Sequence, residues 1–204
     1  SIAEIRKWID WSPFFLTWEL RGKYPKIFKD ETVGQQAKEL YDDANRLLDR
    51  VVDQELLTLR AVYGIWPAAS EENDILLFED DSRDTEKARF HFLRQQWQRR
   101  GQNEYRSLAD YVAPTGSGRD DYLGGFVVTA GIGVDALADA YKSQQDDYNA
   151  IMVQAVADRL AEALAEWLHC KVRAEWGFAD VDPDNLQAII AENYRGIRPA
   201  AGYP

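Results

Sequence analysis

Two stretches with helical periodicity, residues 35–60 and 134–171, enclose a series of short β-rich runs, and this order constrains the fold more than any other feature. In the first stretch Leu40, Ala44, Leu47, Leu48 and Val51 fall at i, i+4, i+7, i+8 and i+11, with Asp, Glu and Arg between them. The spacing predicts an amphipathic helix over 35–60 whose apolar stripe faces a core. In the second, Met152, Ala155, Val156, Leu160, Ala163, Leu164, Trp167 and Leu168 repeat at three- and four-residue spacing, with Asp135 placed in the first turn, where a carboxylate suits the helix dipole. Pro183-Asp-Asn-Leu opens a third helix with Leu186, Ile189 and Ile190 inward. Between the two long helices, Val62–Pro67 and Asp74–Glu79 flank the polar turn Ser70–Asn73 and predict an antiparallel hairpin. Lys87–Phe92 alternates, with Ala88, Phe90 and Phe92 on one face of a half-buried strand. After the turn-rich loop Ala113–Gly118, Tyr122–Ala130 reads as a buried strand ended by Gly131-Ile-Gly133. No internal repeat occurs. The order fits an α+β fold, a twisted antiparallel sheet with long amphipathic helices, as a single domain over 1–204.

A core is well supplied, since 46% of the 204 residues are hydrophobic and 12% aromatic. No run of about 18 apolar residues exists for a transmembrane helix, and the N-terminal Ser1-Ile-Ala-Glu-Ile-Arg-Lys-Trp lacks the layout of a signal peptide. The chain does not open on Met and is expected to be an excised piece. One cysteine, Cys170, makes no internal disulfide, so a reducing cytoplasm is the simplest setting. Its neighbour His169 points about 100° away on a helix and His91 is the remaining histidine, so a shortage of ligands argues against a metal or thiol centre. A net charge of −11 argues against nucleic acid. The stretch 83–106 runs the other way: Arg83, Lys87, Arg89, Arg94, Arg99, Arg100 and Arg106 outnumber Asp84, Glu86 and Glu104. It reads as a strand edge protected by charge or as a docking surface for an acidic partner, the first being the plainer reading.

Gly124-Gly125 and Gly131-x-Gly133 lack the spacing of a dinucleotide loop, and there is no phosphate-binding G-x-x-x-x-G-K-[ST], no H-E-x-x-H and no serine elbow. Two segments survive as candidates for chemistry. Trp8-Ile-Asp10-Trp11-Ser12-Pro13-Phe14-Phe15 sets a carboxylate among aromatic residues, and Glu192-Asn-Tyr-Arg-Gly-Ile-Arg198-Pro-Ala-Ala-Gly202 sets an arginine in a Pro/Gly loop after an amphipathic stretch. A carboxylate and a guanidinium brought together by folding bind the ammonium and carboxylate of an α-amino acid. Spacing alone reads Asp10 equally well as a helix cap or turn residue, and Glu162 and Glu192 as helix surface charges.

Several phrases, in order along essentially the whole chain, carry a resemblance: Ile9-Asp-Trp-Ser-Pro-Phe-Phe15, Gly22-Lys-Tyr-Pro25, Phe92-Leu-Arg-Gln-Gln96, Leu108-Ala-Asp-Tyr-Val-Ala-Pro114, Asp146-Asp-Tyr-Asn149, Ala157-Asp-Arg-Leu-Ala-Glu162 and Glu192–Pro204. The chain resembles the activation domain of cobalamin-dependent methionine synthase. The resemblance implies an S-adenosylmethionine (AdoMet) site with Asp10 and Arg198 as chief polar contacts, Ala200 meeting the ligand through its backbone, and Glu162 and Glu192 as acidic positions nearby. It implies part of a methyltransferase in which AdoMet remethylates an oxidised cobalamin carried by a neighbouring domain, after one-electron reduction by a flavodoxin-type donor. No side chain is then required as acid, base or nucleophile; the domain acts by positioning. The family places a Tyr-containing part of the site downstream of the Gly-Tyr-Pro turn, so the chain is expected to be truncated at its C-terminus, its site open on one side and the fragment inactive alone. Two alternatives stand: a docking module for flavodoxin or the cobalamin domain, and an AdoMet-binding relative serving another corrinoid protein.

Overall fold

The periodic stretch after residue 34 opens as a helix in a computed structural model, which describes residues 1–97, 101, 103–178, 182, 185, 188, 189, 191 and 193–199. Its contacts divide the chain into two compact units, one made of Ser1–Ala61 with Val128–Pro204 and the other of Val62–Val127.

The first unit is helical. Helix α1 (Ile2–Ile5) is capped by the Ser1 hydroxyl, and α2 (Ser12–Thr17) carries Pro13 in its first turn, where a missing N–H costs nothing. Helix α3 (Gly34–Asp53) buries Ala37, Leu40, Ala44, Leu47, Leu48 and Val51, the stripe read from the sequence. It stops at Asp53 rather than 60. Glu55 takes a left-handed φ of 52°, the Leu56 N–H returns to the Val51 carbonyl at 3.1 Å, and Thr58 starts a strand. The second long stretch is likewise two helices, α4 (Val134–Ser143) and α5 (Asp147–Glu175). Gln145 at φ 61° breaks the run, and Asp146 caps α5 by accepting the Asn149 N–H at 3.0 Å. Asp135 lies in the first turn of α4, as its charge favours.

On α5, Met152, Val156, Leu160, Ala163, Leu164 and Leu168 are buried, and all but Leu168 form one core cluster with Phe14, Phe15, Leu48 and Val51. Each of these side chains larger than alanine contributes roughly 1.5–3 kcal/mol on burial. Trp167 is half-buried, its indole N–H donating to Glu4 Oε1 at 3.1 Å. Of the helix predicted to begin at Pro183, Ala188 and Ile189 are helical and Ile189 is buried; Pro183, Leu186 and Ile190 lie outside the described residues.

The described strands form a four-stranded sheet in the order β3-β2-β1-β4: β1 (Thr58–Glu71), β2 (Asp74–Phe78), β3 (Glu86–His91) and β4 (Asp121–Ile132). The chain passes between the units along β1 and β4. The β1–β2 hairpin is antiparallel, pairs Ala68 with Leu77 and Glu71 with Asp74, and turns through Glu72 at φ 54°. β2 and β3 are antiparallel too, Ile75 opposite Phe90 and Leu77 opposite Ala88.

The second unit has a small core of Ala68, Ile75, Leu77, Ala109 and Val112. Arg83 braces it by donating to the Ala68 carbonyl at 2.8 Å and the Asp121 carbonyl at 2.9 Å. Two burial expectations are corrected. Phe90 is 46% exposed, and of Tyr122–Ala130 Ala130 alone is buried while Val127 is 69% exposed. Both lie on strands at the ends of the strand order, which pair on one side only, and Gly124 and Gly125 offer no side chain to cover β4. No helix among the described residues is long and apolar enough to cross a membrane.

Candidate functional site

Along α5, Glu162, Glu166, His169 and Arg173 stand at i, i+4, i+7 and i+11 and so share one side of the helix. The loop of residues 193–199 lies against this stripe. The Arg198 guanidinium donates from Nη2 to Glu166 Oε1. Three further contacts lie along the helix: Arg173 Nη1 donates to the Arg195 carbonyl at 2.7 Å, its guanidinium sits 4.8 Å from the centre of the Tyr194 ring, and the His169 ring meets Tyr194 edge-on at 5.0 Å. Gly196, at φ 94°, lets the backbone reverse between Tyr194 and Arg198 without the strain that a Cβ brings in this region.

The side chains of Arg198 and Glu166 are 14% and 19% exposed, so the pair sits where solvent screens it weakly. Arg198 Nε is buried with no hydrogen-bond partner among the described residues. A guanidinium held at one terminal nitrogen keeps donors on its other nitrogens, and a carboxylate matches such a fork. Burial first, and then the charges of Arg198 and Arg173, lower the His169 pKa to about 4. At neutral pH the imidazole therefore adds no third positive charge beside the two arginines. Burial likewise pushes the neighbouring Cys170 thiol up, away from reactivity.

Asp10 lies between the 3-10 turn Arg6–Trp8 and α2, half-buried, and its Oδ1 accepts the Ser12 N–H at 2.9 Å. The turn role read for it is thus realised. Both α2 and the 3-10 turn pack on α5, the helix that also carries the Arg198 loop. No hydrogen bond or ion pair joins Asp10 to Arg198 among the described residues; what they share is α5 as a support. Glu162 is half-buried on α5, one turn before Glu166. Glu192 and Ala200 lie outside the described residues. Glu166, Arg173 and Tyr194 were not assigned to the site from the sequence, and His169 was weighed there only as a partner of Cys170. The signal was a polar row at helical spacing, hidden in a segment read for its apolar residues.

The basic stretch of the second unit is largely answered from within. Arg83 faces Asp120 at 3.3 Å, Lys87 faces Glu79 at 2.9 Å, and Arg89 reaches Glu71, Asp74 and Glu86. Arg94 grips both oxygens of Asp110 at 2.6 and 2.8 Å, which with the Ser107 backbone N–H holds that carboxyl down to about 2. Arg99 and Arg100 lie outside the described residues. For the four described residues named, the edge-protection reading fits better than a bare cationic surface.

A family model described as vitamin B12 dependent methionine synthase, activation domain, matches residues 1–204. Among solved structures, the crystal structure of the MetH reactivation domain bound to AdoHcy is 50% identical, with a TM-score of 0.93. The match covers 100% of this chain and 63% of that one.

Proposed function

We propose that this chain, which belongs to the family of vitamin B12-dependent methionine synthase activation domains, serves as the AdoMet-binding reactivation module of such an enzyme. The observation that carries the reading is the buried Arg198 guanidinium, set in a chain similar along its whole length to a domain solved with AdoHcy. AdoHcy is AdoMet without the transferred methyl, so a surface that grips the adenosine and amino-acid parts of one accepts the other.

In this reading Arg198 takes the ligand carboxylate and Asp10 a cationic or donor group, while Glu162, Glu192 and the backbone of Ala200 complete the surroundings. Bound AdoMet supplies a methyl group on a sulfonium centre. The residues of the chain bind and orient it through groups remote from that methyl, which converts a rare encounter into an aligned one. Neutral His169 adds no charge of its own, so Arg198 and Arg173 supply the local positive potential for a carboxylate. The acceptor is a cobalamin carried by another domain of the same enzyme, reduced by a flavodoxin-type donor. The chain spans 63% of the length of its solved relative, and methyl transfer in methionine biosynthesis in the cytoplasm belongs in this proposal to the larger protein.

Calorimetric titration with AdoHcy and AdoMet tests the reading. Both bind, and Arg198→Ala weakens them by at least about tenfold, the scale of a lost charge-assisted fork. Equal affinity in the variant would remove Arg198 from the site.

A further inference from the structure

The side chain that fixes the donor geometry of Arg198 is Glu166, which neither the sequence motifs nor the resemblance assigns to the site. Arg198 sits on a loop, and a loop arginine has enough rotamer freedom that a fork aimed at a carboxylate is costly to hold. Three contacts remove that freedom. Arg173 fixes the loop backbone through the Arg195 carbonyl at 2.7 Å and stacks on Tyr194 at 4.8 Å. Glu166, on the long helix α5, then takes Arg198 Nη2. A rigid helical element thereby sets the direction of a donor carried by a mobile kind of segment.

We propose that Glu166 is a positioning residue for the amino-acid carboxylate of the ligand: it anchors Nη2 of the Arg198 guanidinium and so holds the rest of the cation in the orientation that receives that carboxylate. This inference rests on the AdoMet reading above. It assigns Glu166 no contact with the reacting methyl. Its effect is confined to ligands that carry the carboxylate, which separates it from a general role in holding the fold.

The test compares AdoHcy with 5′-methylthioadenosine, which keeps the adenosine and thioether but lacks the amino-acid tail, by calorimetry on the chain and its Glu166→Ala and Glu166→Gln variants. Glu166→Ala is expected to weaken AdoHcy by about tenfold and to leave 5′-methylthioadenosine within about twofold. Glu166→Gln, whose amide oxygen still accepts from Nη2, is expected to recover most of the AdoHcy affinity. Equal weakening of both ligands by Glu166→Ala, or no weakening of either, overturns the proposal, as does a Glu166→Gln variant no better than the alanine one. Failure of the unsubstituted chain to bind AdoHcy overturns the ligand reading itself, and this inference with it.

Discussion

A guanidinium withdrawn from water needs an opposite charge within reach, and Arg198 finds it 32 residues back on α5. The neighbouring imidazole bears the cost of that arrangement. His169 is held neutral down to about 4 by burial and by Arg198 and Arg173, whereas in the unfolded chain it takes up its proton near 6.5. The unfolded state therefore binds more protons between these values, and the contribution of neutral His169 is complete above pH 6.5 and is lost as pH falls toward 4. The urea midpoint of the chain is expected to fall over this window more than that of His169→Gln; parallel curves would remove His169 from the acid response. At this scale legibility follows sequence distance. The carboxylate of Asp10 finds its partner two residues away, so its turn role was readable, but the partner of Arg198 is chosen by how a loop lies on a helix. No local pattern around Glu166 announces that choice.

Elements end where the backbone leaves the helical region, and here three such ends decide the topology. Gly133 is the most demanding, at φ 98° immediately before α4, and a Cβ added there would stand 2.5 Å from the Leu56 carbonyl oxygen. Gly133→Ala is expected to cost about 2 kcal/mol or more, combining backbone strain with a backbone clash. A denaturant titration with an unchanged midpoint would refute this. The glycine was legible as the end of a strand, because glycine punctuates sequence patterns. The ends at Glu55 and Gln145 were not. Both are long polar residues at positive φ, 52° and 61°, in segments whose composition continues to favour a helix. Apolar stripes survived the error because a stripe is a matter of spacing, whereas a break requires one residue to adopt a conformation that its type rarely adopts. Strand existence was read well for the same reason; strand burial was not, since the sequence does not say which strands lie at the sheet ends.

At the scale of the whole chain the two units differ sharply in what they bury. The first holds a core cluster that runs from Ile5 to Leu164, and the second rests chiefly on Ala68, Ile75, Leu77, Ala109 and Val112. Opening free energy follows buried apolar surface. Amides of β2 are expected to exchange faster than those of α5 between Val153 and Leu164; β2 amides as slow as those would contradict a difference in local stability. Division into units was not part of the sequence reading, because it depends on which contacts β1 and β4 make and not on any linker composition between them. The first unit is also assembled from two separated segments, Ser1–Ala61 and Val128–Pro204. During synthesis the apolar face of α3 therefore emerges well before its partners on α5, some hundred residues later, a wait on the order of ten seconds at ordinary elongation rates. The second unit is continuous and can complete its own contacts in that interval. A chain truncated after Val127 would thus hold all of the small unit together with an α3 that lacks its α5 partners, and so present apolar surface to a chaperone.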